Sequence, residues 1–376
     1  MSRFPTASIT NLFRLKQGTY LRSEEMSEIR TDTFPYPVYG ANGVIGFANK
    51  KMYSASLPLI SCRGANCGVT HLTKPDAWIS NNSIACIPKD AADPVYYYYL
   101  FRDSSFNDVI TGSAQPQITI TNLSSKLLPA PSLVTQRRIA SILAAYDDLI
   151  ENNTRRIAIL EQMARRIYEE WFVRFRFPGH EGVRMVESEL GLVPEGWTAV
   201  RLDRVLVLQR GFDLPKQDRT DGLFPIISAT GASATHHEYR VKGPGVVTGR
   251  SGSLGAVMYV EGDFWPLNTT LWVKEFVVGS ALYAFFVLKS IGLAGFNSGA
   301  AVPTLNRNDV HGLPVLRPTL DVLARFDNLV GPVVKLKRRL ELKNANLRTT
   351  RDLLLPKLVS GELDVSAMPE PEALAA

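Results

Sequence analysis

Cys62-Arg63-Gly64-Ala65-Asn66-Cys67-Gly68 and Gly249-Arg250-Ser251-Gly252-Ser253-Leu254-Gly255 are two versions of one segment within a single 376-residue chain. Arg63 falls on Arg250 and Gly68 on Gly255, both 187 positions apart. The same offset carries Trp78 onto Trp265, Asn81 onto Asn268, Gly112 onto Gly299 and Pro116 onto Pro303. Upstream, Pro37-Val38-Tyr39-Gly40-Ala41 resembles Pro225-Ile226-Ile227-Ser228-Ala229 at a nearby offset. Leu15-Lys16-Gln17-Gly18 resembles Leu208-Gln209-Arg210-Gly211 at an offset of 193, so small insertions separate the matched pieces. Solenoids need about three or more repeats to bury a continuous core. Two copies instead predict a pseudo-twofold molecule with two equivalent sites.

Short apolar runs such as Leu57-Pro58-Leu59-Ile60, Gly245-Val246-Val247 and Val257-Met258-Tyr259-Val260 lie among Gly-rich turns and read as strands. Val95-Tyr96-Tyr97-Tyr98-Tyr99-Leu100-Phe101 and Ala281-Leu282-Tyr283-Ala284-Phe285-Phe286-Val287-Leu288 correspond in the two copies and read as buried helices. Proline-containing exits, Leu128-Pro129-Ala130-Pro131 and Leu313-Pro314-Val315-Leu316-Arg317-Pro318, each lead into a long helix. In the first, Ile139, Leu143, Tyr146, Ile150, Asn153, Ile157, Leu160, Ala164, Ile167 and Trp171 alternate steps of four and three, which is a coiled-coil seam. Asn153 is its one strongly polar member, and such a residue sets register at a cost in stability. The second helix keeps Phe326, Val330, Val333, Leu340, Leu347, Leu354 and Leu358 on its seam, interrupted by Lys337, Asn344 and Arg351. Pro332 is expected to kink it or delay its regular start.

The fold class this predicts is α+β: two pseudo-symmetric α/β domains separated by two long antiparallel helices forming a coiled coil. The expected boundaries are residues 1–131 for the first domain, 132–172 for the first helix and 173–196 for a linker. Residues 197–317 then form the second domain, 318–360 the second helix and 361–376 a C-terminal tail. A helix of about 37 residues is about 55 Å long, so the pair reads as a rigid spacer between two binding heads, or as an intersubunit surface.

Composition bounds the function. Apolar residues make up 45% of the chain and charged ones 21%, which supports buried cores and argues against disorder. No apolar run reaches the roughly 18–20 residues of a membrane span. The first ten residues lack a basic start and apolar stretch, so neither membrane nor secretion is expected. Three cysteines, Cys62, Cys67 and Cys86, do not make a disulfide framework and fit a cytoplasmic protein. With His71 they could be drawn as a zinc set, but the spacing is not a standard one. The second copy carries Gly249, Leu254, Met258 and Val273 at those places, so ordinary buried or half-buried cysteines and no metal are expected. A net charge of +6 favours a polyanionic partner.

No catalytic constellation emerges. The phosphate loop G-x-x-x-x-G-K-[ST] is absent, and Gly243-Pro244-Gly245-Val246-Val247-Thr248-Gly249-Arg250 lacks its lysine. Asn-Pro-Pro-aromatic, Asp-Pro-Pro-aromatic and a strand-linked G-x-G-x-x-G are also missing. Glu341-Leu342-Lys343 has nuclease letters but lies on a predicted helix. What remains is recognition by polar side chains in turns. Arg63 and Asn66 in one copy, and Arg250, Ser251 and Ser253 in the other, sit where a backbone can approach a nucleic-acid groove. Asn81 and Asn82 with Asn268 and Thr269 form a second cluster; Gln115 and Gln117 with Thr304 and Asn306 form a third. Arginine matches the guanine edge with paired donors, and Asn or Gln matches adenine with a donor and an acceptor. Each residue is equally explained as a turn or strand-end polar group. Residues that both copies share, such as Arg63 with Arg250, suit a structural role, because two heads should read different bases. His236-His237 offers a phosphate or base contact, or a solvated loop. Arg155, Arg156, Arg165, Arg166, Lys335, Lys337, Arg338 and Arg339 could face phosphates, but a solvated face or a partner-protein surface suits them better.

Val246-Val247-Thr248-Gly249-Arg250-Ser251-Gly252-Ser253-Leu254-Gly255, followed by Phe264-Trp265-Pro266-Leu267-Asn268-Thr269-Thr270-Leu271, resembles the target recognition domain of type I restriction–modification specificity subunits. Gln136-Arg137-Arg138-Ile139-Ala140 resembles the entry to that family's long helix. Leu354-Leu355-Pro356-Lys357-Leu358-Val359-Ser360-Gly361-Glu362-Leu363 resembles the end of its second. The resemblance runs to about Val365 and includes the two-copy layout. It implies a non-catalytic subunit whose two recognition domains each bind half of a bipartite site in double-stranded DNA. The helices would fix the distance between halves and dock two modification (methyltransferase) subunits, and restriction subunits would join to cleave DNA. No cofactor would belong to this chain; S-adenosylmethionine, ATP and magnesium would belong to the partners. The alternatives are a specificity subunit of a related system without separate restriction subunits, a cryptic DNA-modifying enzyme, and a protein-binding scaffold. Sequence choice is expected where the copies differ, around Asn66 against Ser253 and Gln117 against Thr304.

Overall fold

The computed structural model describes residues 3–297 and 303–369. The chain divides into two compact units, Met1–Thr154 with Glu341–Ala376, and Arg155–Leu340. Gly299, the repeat partner of Gly112, lies outside the described residues. Among the described residues, no helix is long and apolar enough to cross a membrane.

The first unit holds two four-stranded sheets. One is antiparallel throughout, in the order Phe13–Gln17, Ser83–Pro88, Pro58–Ser61, Thr70–Leu72. The other runs Met26–Ser27, Gly43–Ala48, Tyr36–Gly40, Trp78–Ile79, and its last pair is parallel. The second unit repeats the first sheet as Leu206–Arg210, Thr270–Phe276, Gly245–Gly249, Val257–Val260. It repeats the other with three strands, Gly231–His236, Phe224–Ser228 and Trp265–Pro266.

The repeat extends to individual pairings. Gln17 pairs with Ile84 as Arg210 pairs with Leu271. Val38 pairs with Trp78 as Ile226 pairs with Trp265, and both strands have a bulge one residue later. Gly18 and Gly211 occupy the same spot: a Cβ there would meet the carbonyls of Ile79 and Ser80, or of Pro266 and Leu267. The close backbone approach leaves room only for glycine.

One sequence match does not survive. Ser61 pairs with Ser83 as Gly249 pairs with Thr270, and Arg63 bridges Gln117 as Ser251 bridges Thr304. The counterpart of Arg63 is therefore Ser251, and Arg250 stands in the place of Cys62. The cause is turn length. Three residues separate Gly64 from Gly68, but two separate Gly252 from Gly255, and all four glycines have positive φ. The frame shifts by one residue inside the turn. The Gly68–Gly255, Trp78–Trp265, Asn81–Asn268 and Gln117–Thr304 matches lie beyond the shift and hold.

A buried helix packs on the first sheet of each unit, Pro94–Asp103 in one and Ala281–Ile291 in the other. Asp93 caps the first, accepting from Val95 N–H and Tyr96 N–H, with Pro94 in the first turn. Ser280 caps the second, accepting from Leu282 N–H and Tyr283 N–H. Gln136, buried at the start of the first long helix, accepts from the Asp93 N–H and donates to the Ala91 and Pro131 carbonyls. That accounts structurally for its place in the helix-entry motif.

The first long helix spans Leu133–Tyr168 and passes into a π-type turn, Glu169–Val173. All ten residues of its seam are buried or half-buried. The second spans Leu320–Val359 and runs through Pro332 without a delayed start. Pro332 is exposed, so water can take the carbonyl that it leaves unpaired. In each unit the two helix segments lie antiparallel. In the first unit Asn344 accepts from Asn153 at 2.9 Å and donates to the Ile150 carbonyl, while Arg351 pairs with Asp147. In the second Lys337 pairs with Glu161 at 2.6 Å. The polar interruptions of the second seam thus meet polar partners on the first helix.

The stretch 173–196 is not a bare tether. Phe177 stacks on Trp197 with ring centroids 5.6 Å apart, and Met185–Ser188 pairs with Gly191–Pro194 as a hairpin.

Candidate nucleic-acid interface

In an antiparallel sheet, alternate strands begin and end at the same edge. In the first unit this brings Gln17, the Arg63–Gly68 turn and the Asn81–Asn82 loop to one end of the sheet. Backbone bonds lock the loops together. Gly18 N–H donates to the Ser83 carbonyl, Cys62 N–H to Asn82, Gly64 N–H to Pro116 and Ile118 N–H to Cys62. Arg63, Asn66, Asn82, Gln115 and Gln117 are exposed, and Asn81 is half-buried. Asn66 donates to the side chain of Asn42 in the Gly40–Gly43 hairpin turn. Gln17 Nε2 donates to the Asn81 carbonyl at 2.8 Å.

The second unit builds the same end. Gly211 N–H donates to the Thr270 carbonyl, Arg250 N–H to Thr269, Gly252 N–H to Pro303 and Leu305 N–H to Arg250. Ser253 is exposed, while Arg250, Ser251, Asn268, Thr269 and Thr304 are half-buried. Arg250 Nη1 donates to the Asn268 carbonyl at 3.4 Å. Asn268 donates to Asp213, and Arg210 lies 3.8 Å from the same carboxylate. Asn306 is different: its side chain accepts from Asn308 N–H and caps the helix Arg307–His311, as Thr119 caps Ile120–Leu123 in the first unit.

Gln17, Asn42, Arg210 and Asp213 belong to these clusters and were not among the sequence candidates. For Gln17 and Arg210 the signal existed, in the Leu15–Gly18 and Leu208–Gly211 match. For Asn42 and Asp213 there was none, because their places depend on which hairpin folds over which turn.

Cys62, Cys67 and Cys86 are free thiols. Burial pushes the Cys62 and Cys67 thiols up, and does so more strongly for Cys86. Low nucleophilicity follows. His71 contacts the Ala41 carbonyl at 3.2 Å. His236 is buried against Thr220 and meets Trp265 edge-on, so it is part of the core rather than a solvated loop. His237 is exposed and bonds Thr220 Oγ1. On the helices, Arg165 lies 3.7 Å from Glu169, and Arg155, Arg156, Arg166, Lys335, Arg338 and Arg339 are exposed.

Residues 1–162 match the family described as the type I restriction modification DNA specificity domain. The type I restriction enzyme MjaIX specificity subunit of Methanocaldococcus jannaschii is 27% identical over 313 residues, covering 75% of this chain and 72% of its own length. The EcoprrI specificity subunit of Escherichia coli is 22% identical over 158 residues, 42% of this chain and 39% of its own. The crystal structure of a type I restriction-modification system S subunit from M. genitalium superposes with a TM-score of 0.73 at 16% identity. It covers 95% of this chain and 96% of that one.

Proposed function

We propose that the chain, which is similar to the type I restriction enzyme specificity subunits, binds a bipartite site in double-stranded DNA, each of its two units taking one half. The observation that supports this is the pair of loop clusters. Their backbones are bonded in the same pattern, yet apart from the shared Asn81 and Asn268 different side chains line them. A structural device would repeat its side chains along with its backbone. A device for reading two different sequences would repeat only the backbone. Arg63, Asn66, Asn81, Asn82, Gln115 and Gln117 would serve one half-site; Arg250, Ser251, Ser253, Asn268, Thr269 and Thr304 the other. Asn306 would act through its helix cap rather than on a base.

The long helices continue from one unit into the other and would dock two modification subunits, with restriction subunits completing the assembly. S-adenosylmethionine, ATP and magnesium would enter with those partners.

The test is selection from a randomised duplex library with the chain and its modification subunits. The expected outcome is one asymmetric bipartite motif, with binding that weakens steeply as salt rises, as phosphate neutralisation requires. Enrichment of a single uninterrupted motif, or of none, overturns the proposal.

A further inference from the structure

The two copies of the strand-end turn differ in an informative way. Gln17-Gly18-Thr19-Tyr20 in the first unit corresponds to Arg210-Gly211-Phe212-Asp213 in the second. Thr19 N–H donates to the Ile79 carbonyl as Phe212 N–H donates to Pro266, so the backbones match residue by residue. Only the second copy carries the Arg210–Asp213 pair. Their side chains are 53% and 71% exposed, and an ion pair that open contributes little to stability. The first unit builds the same turn with Gln17 and Tyr20, so the fold does not require the charges. Asp213 nonetheless holds two groups, Arg210 and the amide of Asn268. With one N–H of Asn268 held by Asp213, its other N–H and its oxygen remain available, the donor and acceptor that an adenine edge needs. Gln17 is held the same way, by one N–H on the Asn81 carbonyl.

We propose that the residue at this strand end, Arg210 in the second unit and Gln17 in the first, determines specificity, and that Asp213 is the positioning residue for Arg210 and Asn268. Arg210 reads the guanine of a G·C pair through O6 and N7, and Gln17 reads the adenine of an A·T pair through N6 and N7. This rests on the bipartite DNA-binding reading above.

The test uses the chain with its modification subunits and the randomised duplex library. Arg210→Gln should remove the G·C preference at one position of one half-site and leave the other half unchanged. The loss of discrimination there should be roughly 5- to 150-fold, the range for one bidentate base contact. Arg210→Lys keeps the charge but not the paired donors, so it should retain affinity while losing discrimination. Gln17→Arg should install a G·C preference in the opposite half. Asp213→Ala should loosen the two positions read by Arg210 and Asn268. If Arg210→Lys and Gln17→Arg both bind with the wild-type motif, the inference is overturned while the bipartite reading stands. If the wild-type complex itself enriches no bipartite motif, the underlying reading fails and takes the inference with it.

Discussion

The two long helices meet each other differently in the two units. In the first unit their contact combines apolar residues of one cluster, Ile139 and Leu143 with Leu355 and Leu358, with two polar pairs, Asn153 with Asn344 and Arg351 with Asp147. Asp147 also accepts from the Tyr99 hydroxyl at 2.7 Å. In the second unit the contact is aromatic. Phe326 is fully buried among Tyr168, Trp171, Phe172 and Phe286, at centroid distances of 4.9 to 6.3 Å. Burial there pushes the Tyr168 hydroxyl up to about 12, with the hydrogen bond to Ser290 pulling the other way. Buried amides accept only partners with matching geometry, so they fix register; packed rings supply stability with looser demands on register. One helix pair divides these tasks along its length.

Breaking the aromatic half should have the largest effect. Phe326→Ala removes a fully buried ring from the second unit's core and should cost about 3–5 kcal/mol. Hydrogen exchange followed by mass spectrometry should show protection falling first in 155–340. A uniform loss across both units would contradict the division of tasks. Next comes Asn344→Leu, which leaves the Asn153 amide buried without its acceptor and should cost about 1–3 kcal/mol. Adding Asn153→Leu should recover much of that, since replacing both partners with apolar groups can be nearly neutral. If the double variant is as unstable as the single one, the amide pair contributes stability rather than register.

The seam of the first long helix was legible because its 3–4 spacing is a property of neighbouring residues. That of the other helix is uneven in sequence because Lys337, Asn344 and Arg351 make sense only beside Glu161, Asn153 and Asp147, on a helix far away along the chain. The Gly-rich turns of the two units are legible by self-similarity, which also misleads. Arg63 and Arg250 are both arginine and lie 187 positions apart, yet strand pairing sets Arg63 against Ser251. A one-residue difference inside a turn is invisible when the flanking glycines still match. Asp213 illustrates the remaining gap: nothing local distinguishes it from any loop aspartate until Asn268 and Arg210 are brought beside it.

The helix caps sharpen the comparison at a smaller scale. Asp93→Ala and Ser280→Ala should each cost about 1 kcal/mol, the usual value of a lost N-cap. Ser280 should cost more, because its hydroxyl also donates to Asp327 at 2.7 Å. Burial raises the Asp327 pKa and the Ser280 bond lowers it, so Ser280→Ala should raise it further. NMR titration of that carboxyl would read the difference.

The smallest expected effect concerns pH. His311 Nε2 accepts from the Leu208 N–H at 2.9 Å, so only the neutral ring can make this bond. Burial lowers its pKa below 6.5; Asp203 opposes that, and Arg307 and Arg201 reinforce it. The unfolded chain therefore binds the proton more readily than the folded one. The His311 contribution is fully present above the unfolded value and is lost as pH falls through about 6.5 toward the lower folded value. The matching position in the first unit is Ser124, which bonds the Ile120 carbonyl and does not titrate in this range. Mild acid should thus loosen Leu206–Arg210 while leaving its counterpart Phe13–Gln17 protected. Protection factors for those two strands, compared between about pH 7.5 and about pH 5.5, either side of the ordinary histidine value, would show it. His311→Gln should abolish the difference. Equal loosening of both strands would mean that the asymmetry lies elsewhere than in this histidine.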